Sequence, residues 1–199
     1  MADQLDRELH ELLKSLNVEQ ESSGTPEDRI TVACLYHKAD RRDWQRLEQH
    51  LEAVQWQIQK HCILTCTSDE GNPKEPSHIA HMKKAAEHIE NAHILLVGLS
   101  VDMQLLLQQQ PHLYETLQSK LAQAKQVRNA WGQPPYVAGI RMKETLWEDS
   151  ELYGMEFLPR FTTLANQHHK DATCVEIARQ VRDWISEILD ERNYRANRK

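Results

Sequence analysis

The sequence predicts an α/β protein: a flavodoxin-like three-layer sandwich with a central, mostly parallel sheet of four or five strands, plus an N-terminal helix. Three observations support this fold class. Short apolar runs alternate with amphipathic helical segments from residue 30 onwards. The runs are continuously apolar, as in strands that helices cover on both faces. The segments between them are long enough for the right-handed crossovers that join parallel strands.

Four apolar runs are predicted to be strands because they are short and bounded by polar or turn residues. They cover residues 30–36, 61–67, 93–100 and 134–142. The third run is the most apolar of the four, which favours a central position in the sheet.

The segments between the strands have helical periodicity. Helices are predicted over 43–58, 79–92 and 170–193, with a polar loop and helix, broken near Pro111, over 101–131. In the second helix, Ile79, Met82, Ala86 and Ile89 form the predicted buried face. Residues 143–169 are predicted to be irregular.

The chain divides into four parts by composition. Residues 1–17 carry five leucines at helical spacing and are predicted to form an amphipathic helix. A polar linker over 18–29 contains Gly24 and Pro26 as helix breakers. The α/β domain is expected over 30–192, and residues 193–199 form a C-terminal tail.

Composition excludes several classes of protein. The formal net charge is −6 over 199 residues, so a nucleic-acid partner is not expected. The four cysteines include no CxxC pair, which is typical of a reduced, cytoplasmic protein. Cys62 and Cys66 are too far apart along a strand, at about 13 Å, for a disulfide. No signal peptide or membrane-spanning run is visible, so no membrane partner is expected.

Eleven histidines make a metal site worth testing. His78 and His81 have an i, i+3 spacing that places two imidazoles on one helical face. However, neither an HExxH motif nor a Cys/His framework accompanies them. The sequence therefore favours solvated surface histidines, and no metal ligand is predicted.

The end of the first strand is a polar elbow that leads directly into a helix. Its residues are Tyr36, His37, Lys38 and Asp40. Open α/β sheets place their ligand crevice at the carboxyl ends of strands, and Lys38 can meet phosphates there. Asp40 can instead cap the following helix, and capping is the favoured interpretation, although one carboxylate can do both.

Four segments resemble, in order, the motifs of bacterial Toll/interleukin-1 receptor (TIR) domains. They are residues 30–54, 88–103, 134–147 and 170–185. The first has a strand that ends in an aromatic residue before a polar loop. The second runs apolar into a Ser-x-Asp turn at Ser100 and Asp102, the third ends in Trp147, and the fourth opens a final helix with Asp171 and Ala172.

The resemblance implies a set of site residues. In catalytically active TIR domains a glutamate on the helix after Ser-x-Asp hydrolyses NAD. Glu115, beside Tyr114, is the only carboxylate in that stretch, although an ungapped alignment puts Leu117 at the catalytic position. Asp69 matches the aspartate of the loop after the second strand. The candidate binding residues are Tyr36, His37, Lys38, Asp40, Asp69, Ser100, Asp102 and Tyr114.

Three functions follow as hypotheses. The first, and the favoured one, is a signalling or defence domain that acts through self-association or through binding another TIR-like domain. The alternative is an NAD hydrolase activated by oligomerisation, with Glu115 as catalytic carboxylate and NAD as substrate. The third is an unrelated nucleotide-binding α/β domain. No resident cofactor is firmly implied.

Overall fold

A computed structural model describes most of the chain after residue 28. The described residues are 29–58, 62–68, 76–127, 130–143, 152, 155–159, 163–164 and 170–198. The predicted N-terminal helix, residues 18–28 of the linker, and Asp69 lie outside them. Predictions about those parts therefore stay predictions.

Five strands form one parallel sheet in the order β2-β1-β3-β4-β5. Their bounds are β1 Ile30–Tyr36, β2 Cys62–Ser68, β3 Ile94–Leu99, β4 Tyr136–Arg141 and β5 Glu156–Leu158. The predicted α/β sandwich with a parallel sheet is confirmed. The short strand β5 lies in the stretch that was predicted to be irregular, because three residues are too few to leave a pattern.

Five helices are described beside the sheet. Their bounds are α1 Arg41–Gln57, α2 Pro76–Glu90, α3 Val101–Gln109, α4 Pro111–Val127 and α5 Lys170–Ala196. The predicted break near Pro111 is confirmed, since α3 ends at Gln109 and α4 begins at Pro111. A single 3-10 turn, Lys38–Asp40, joins β1 to α1.

The helices form two layers, one on each face of the sheet. One buried cluster joins α1 and α5 to the sheet, and the other joins α2, α3 and α4 to it. The central strand β3 is buried at every residue, as its apolar sequence predicted. The prediction that Ile79 lies inward is wrong: its side chain is 62% exposed, whereas Met82, Ala86 and Ile89 are buried.

The strand order creates a topological switch point between β1 and β3. The chain leaves β1 towards β2 on one side and, after crossing back, continues from β3 towards β4 on the other. In open parallel sheets the connections diverge at such a point and leave a crevice outside the carboxyl ends of the strands. The residues that follow β1 and β3 therefore occupy the place where this fold class binds ligands.

Candidate functional site

Four polar residues meet at the carboxyl edge of the sheet, and we call them the rim cluster: Asp40, Ser100, Asp102 and Lys143. Asp40 ends the 3-10 turn after β1, Ser100 follows β3, and Lys143 lies two residues beyond β4. Because β1, β3 and β4 are parallel neighbours, their carboxyl ends meet at one edge. The cluster thus joins three positions that are far apart in the chain.

Asp40 is the centre of the rim cluster. Its side chain is fully buried, although carboxylates are almost never buried unless they are paired. The Ser100 hydroxyl donates to Oδ2 at 2.5 Å, and the Lys143 ammonium lies 2.8 Å from Oδ1. Each carboxylate oxygen therefore has one partner, which offsets the cost of removing the charge from water.

The favoured sequence interpretation of Asp40 was wrong. Asp40 stands at the N-cap position of α1, but its side chain makes no capping hydrogen bond. It turns away from its own helix towards the ends of β3 and β4. The residue that caps is His37, whose Nδ1 accepts the N–H of Ala39 at 3.2 Å in the 3-10 turn.

Ser100 has two roles at the start of α3. It is fully buried, its backbone is extended, and its hydroxyl oxygen accepts the N–H of Met103 at 3.2 Å. This is the usual N-cap arrangement, which satisfies one of the unpaired amides in the first turn of a helix. The same hydroxyl donates its proton to Asp40. Ser100 therefore ties the first turn of α3 to the elbow after β1.

Lys143 connects the buried carboxylate to the surface. Its ammonium lies 2.8 Å from Asp40 and 3.5 Å from Oδ2 of Asp102. The hydrogen bond to Asp40, supported by the charges of both aspartates, raises the pKa of Lys143, while partial burial opposes that change. The side chains of Lys143 and Asp102 are 43% and 42% exposed, so these two residues line the mouth of the site.

The aromatic residue of the elbow is part of the core. Tyr36 is buried and stacks on Trp44 of α1, with ring centroids 4.8 Å apart. Gly98 of β3 makes this stacking possible, since a Cβ there would lie 3.1 Å from the Cβ of Tyr36 and 3.2 Å from the Trp44 ring. The Tyr36 side chain therefore packs in the core next to the elbow and helps to hold the elbow in place. Lys38 is exposed beside it.

The residues predicted from α4 are not part of the rim cluster. The side chain of Glu115 is exposed and makes no hydrogen bond or ion pair with any residue that the structure describes. Tyr114 is half-buried against the apolar core beneath α2, α3 and α4. Leu117 is fully buried in that core, so it has the environment of a structural residue.

The histidine prediction is partly wrong. His78 is buried, and its Nε2 lies 3.5 Å from Nε2 of Gln110, so it is not a solvated surface residue. Among the residues described, no three His, Cys, Asp or Glu side chains are grouped as metal ligands would be.

Sequence reasoning missed Lys143. It lies in the segment 134–147, but no motif singles it out. The available signal was its position as the first charged residue after the fourth strand, because the ends of parallel strands share one edge of a sheet. The same argument had already selected the elbow that contains Asp40, whereas Ser100 was identified through the resemblance to TIR domains.

The rim cluster balances a buried charge. Asp40 contacts Ser100 and Lys143, so this carboxylate acts as an internal counter-ion. The Lys143 ammonium is nearly half exposed, but it already lies between Asp40 and Asp102, so the cluster as a whole has one net negative charge. None of the described helices is both long and apolar enough to cross a membrane.

Comparison of the chain with protein-family models, with curated proteins and with solved structures gives no match. The assignment of this site therefore depends on its own geometry at the switch point of the sheet.

Proposed function

We propose that this protein is a TIR-like signalling or defence domain that acts by associating with a second copy of itself. The observation that carries the proposal is the pattern of exposed apolar side chains on the α2–α3 side of the sheet. Ile79, Val101 and Leu105 are 62%, 53% and 50% exposed. Exposed apolar side chains are typical of protein-interaction surfaces where they form a patch, and Ile79 also lines a groove.

Ile79 and Val101 lie in the first turns of α2 and α3, and Leu105 lies one turn further along α3. Ile79 lines a groove of about 260 Å³ together with Met82 and Leu113, so an apolar side chain from a partner can enter there. Val101 and Leu105 are four residues apart on α3 and thus share one helical face. We call Ile79, Val101 and Leu105 the apolar surface.

The state of the rim cluster supports the same proposal. Its buried carboxylate is fully engaged by Ser100 and Lys143, which stabilises the elbow beside the apolar surface. A site that is built for catalysis keeps a reactive group available to its substrate. Within the described residues, the candidate Glu115 has neither a buried environment nor a positioning partner.

Light scattering coupled to size-exclusion chromatography tests the proposal over a concentration series of the full chain. We expect a mass that rises with concentration above that of a 23.3 kDa monomer. The double variant Ile79→Glu/Leu105→Glu should remain monomeric at the same concentrations. Trp56→Glu is the matched control, because Trp56 is 73% exposed but lies on α1, in the other helical layer.

Two outcomes would contradict self-association through this surface. One is a monomer at every concentration. The other is an oligomer that Trp56→Glu disrupts as strongly as the double variant does.

A second candidate function is hydrolysis of NAD. The observation in its favour is the partly exposed Lys143 ammonium at the switch point, which can bind a diphosphate in place of its exposed partner Asp102. Release of nicotinamide from NAD, measured with the oligomeric and the monomeric protein, tests it. Glu115→Ala should abolish release if Glu115 is catalytic, whereas Glu52→Ala, another exposed glutamate, should not. A thermal shift with nucleotides but no turnover would instead favour a nucleotide-binding domain.

A further inference from the structure

Two cysteines face each other across the neighbouring strands β1 and β2. Cys34 and Cys66 are direct register partners in this parallel pair. Neighbouring strands lie about 4.8 Å apart, and this spacing is within the range of Cα separations that a disulfide spans. The strand pairing therefore brings two thiols together that are far apart in the sequence.

The two side chains lie on the same face of the sheet. Both contact the core beneath α1 and α5. The interaction with the neighbouring Cys66 thiol and burial, in that order, raise the pKa of Cys34 well above its usual value, and the nearby charge of Glu48 adds to the effect. All four cysteines are reduced thiols in the structure.

The two cysteines differ in exposure. Cys34 is 2% exposed, whereas Cys66 is partly exposed on β2, an edge strand of the sheet. A small oxidant therefore reaches Cys66 first. Cys34 is a poor first nucleophile, because its raised pKa and its burial keep it in the thiol form.

We propose that Cys34 and Cys66 form a site of reversible oxidation that closes to a disulfide when the protein meets a hydroperoxide. Cys66 gives up its proton, and its sulfur attacks one peroxide oxygen. An S–O bond forms, the O–O bond breaks, and the departing oxygen takes up a proton to leave as an alcohol or as water. The product is a sulfenic acid at Cys66.

The second step is internal. The sulfur of Cys34 attacks the sulfur of Cys66, so that an S–S bond forms and the S–O bond breaks. The departing hydroxide takes the proton of Cys34 and leaves as water. In total, the two thiols lose two electrons and two protons, and the hydroperoxide is reduced to an alcohol and water.

The position of the bond gives the modification a structural effect. Cys34 and Cys66 each lie two residues before the carboxyl end of their strand. The disulfide would tie the edge strand β2 to β1 directly below the elbow that carries Asp40. Reduction by a dithiol would release it.

Peptide mapping of the full chain tests the proposal. The reduced protein is treated with hydrogen peroxide at near-stoichiometric amounts, the remaining thiols are alkylated, and the digest is analysed by mass spectrometry. We expect the loss of two of the four thiols and a linked peptide that joins Cys34 to Cys66, reversed by dithiothreitol. The mapping needs no variant, so it stands even if a substitution prevents folding.

Variants assign the two roles. Cys34→Ala should leave Cys66 as a sulfenic acid that dimedone traps, whereas Cys66→Ala should leave Cys34 unmodified. Cys62→Ala is the matched control, because Cys62 lies on the same strand but is buried, and burial raises the pKa of its thiol to about 11. This variant should form the disulfide as the unsubstituted chain does. The proposal is overturned if Cys34 stays reduced while Cys66 is oxidised, or if Cys66 links to Cys62 or to another chain.

Discussion

Polar side chains lie at both ends of the parallel strands, which we call the amino edge and the carboxyl edge of the sheet. The side chains at the two edges bond to different kinds of partner. At the amino edge, the N–H of Thr31 donates to Nδ1 of His93 at 3.0 Å, and Lys120 donates to the backbone oxygen of Glu90 at 2.7 Å. At the carboxyl edge, Ser100 and Lys143 bond to the carboxylate of Asp40. The two bonds at the amino edge satisfy backbone groups, one of them from the buried Lys120, and Tyr136 donates there to the carboxylate of Glu187. The bonds at the carboxyl edge instead satisfy the fully buried carboxylate of Asp40.

This difference determines how much the stability of each edge depends on a single side chain. Removal of the partner of a backbone group lowers the free energy of unfolding by about the net contribution of one hydrogen bond, because water can often replace that partner. Removal of a partner from a buried carboxylate leaves an uncompensated charge, which is strongly destabilising. We therefore expect the carboxyl edge to be the more sensitive of the two.

The largest effect is expected for Lys143→Met. This change leaves the fully buried Asp40 without its counter-ion, and it should lower the free energy of unfolding by about 3 kcal/mol. Lys120→Met, at the amino edge, should cost about 1 kcal/mol, since it removes one bond to a carbonyl. Urea denaturation measures both. Equal losses in the two variants would contradict the distinction between the edges.

The next largest effect is expected for Ser100→Ala. The variant loses the cap on the Met103 amide and leaves Oδ2 of Asp40 without a donor, so it should lose about 2 kcal/mol. Ser186→Ala is a control with a change of the same size, because Ser186 is exposed on α5 and donates to the backbone oxygen of Arg182. The control should stay within about 0.5 kcal/mol of the unsubstituted chain in the same denaturation experiment.

A smaller effect is expected for Asp40→Asn. The amide removes the buried charge and can still accept from Ser100, while Lys143 can turn to water, so the loss should be about 1 kcal/mol. The double variant Asp40→Asn/Lys143→Met should then be more stable than Lys143→Met alone. A double variant with the summed loss of both single variants would show that the pair is not coupled.

The smallest effect is expected for the pH dependence of stability that His93 contributes at the amino edge. Burial, together with the nearby Arg192 and Lys120, lowers the pKa of His93. As the pH falls, His93 of the unfolded chain therefore binds a proton near pH 6.5, whereas His93 of the folded protein binds one only at a lower pH. The stabilisation from neutral His93 is fully present above that pH and is lost as the pH falls towards the lowered pKa of the folded state.

Comparison of denaturation midpoints at pH 7.5 and pH 5.5 measures this effect. His93→Gln should lose less stability on acidification than the unsubstituted chain does. His112→Gln, which changes an exposed histidine, should leave the difference as it is. A pH dependence that His93→Gln leaves unaltered would show that other groups cause it.

Part of the rim cluster could be predicted from the sequence. Asp40 and Ser100 follow apolar runs, and neighbouring parallel strands place the residues after such runs at one edge. Their mutual hydrogen bond could not be predicted, because it depends on the side-chain direction at each strand end. For the same reason, Asp40 was expected to cap its own helix and instead contacts Ser100 and Lys143.

Ile79 shows a second limit of the pattern. Helical periodicity places Ile79 on the same face as Met82 and Ala86, but its side chain is exposed while theirs are buried. Periodicity gives the direction in which a side chain points around the helix axis. It does not show how far along the helix the neighbouring elements cover that face. The exposed apolar position is what supports an interaction surface.

The order of apolar runs and amphipathic helices was by itself sufficient to determine the fold class, because continuously apolar short segments must be covered on both faces. Only the tertiary structure decided which residues meet: Lys143 with Asp40, and Cys34 with Cys66. Such contacts depend on strand order and register, which arise from the packing of the whole sheet. No local stretch of sequence contains that information.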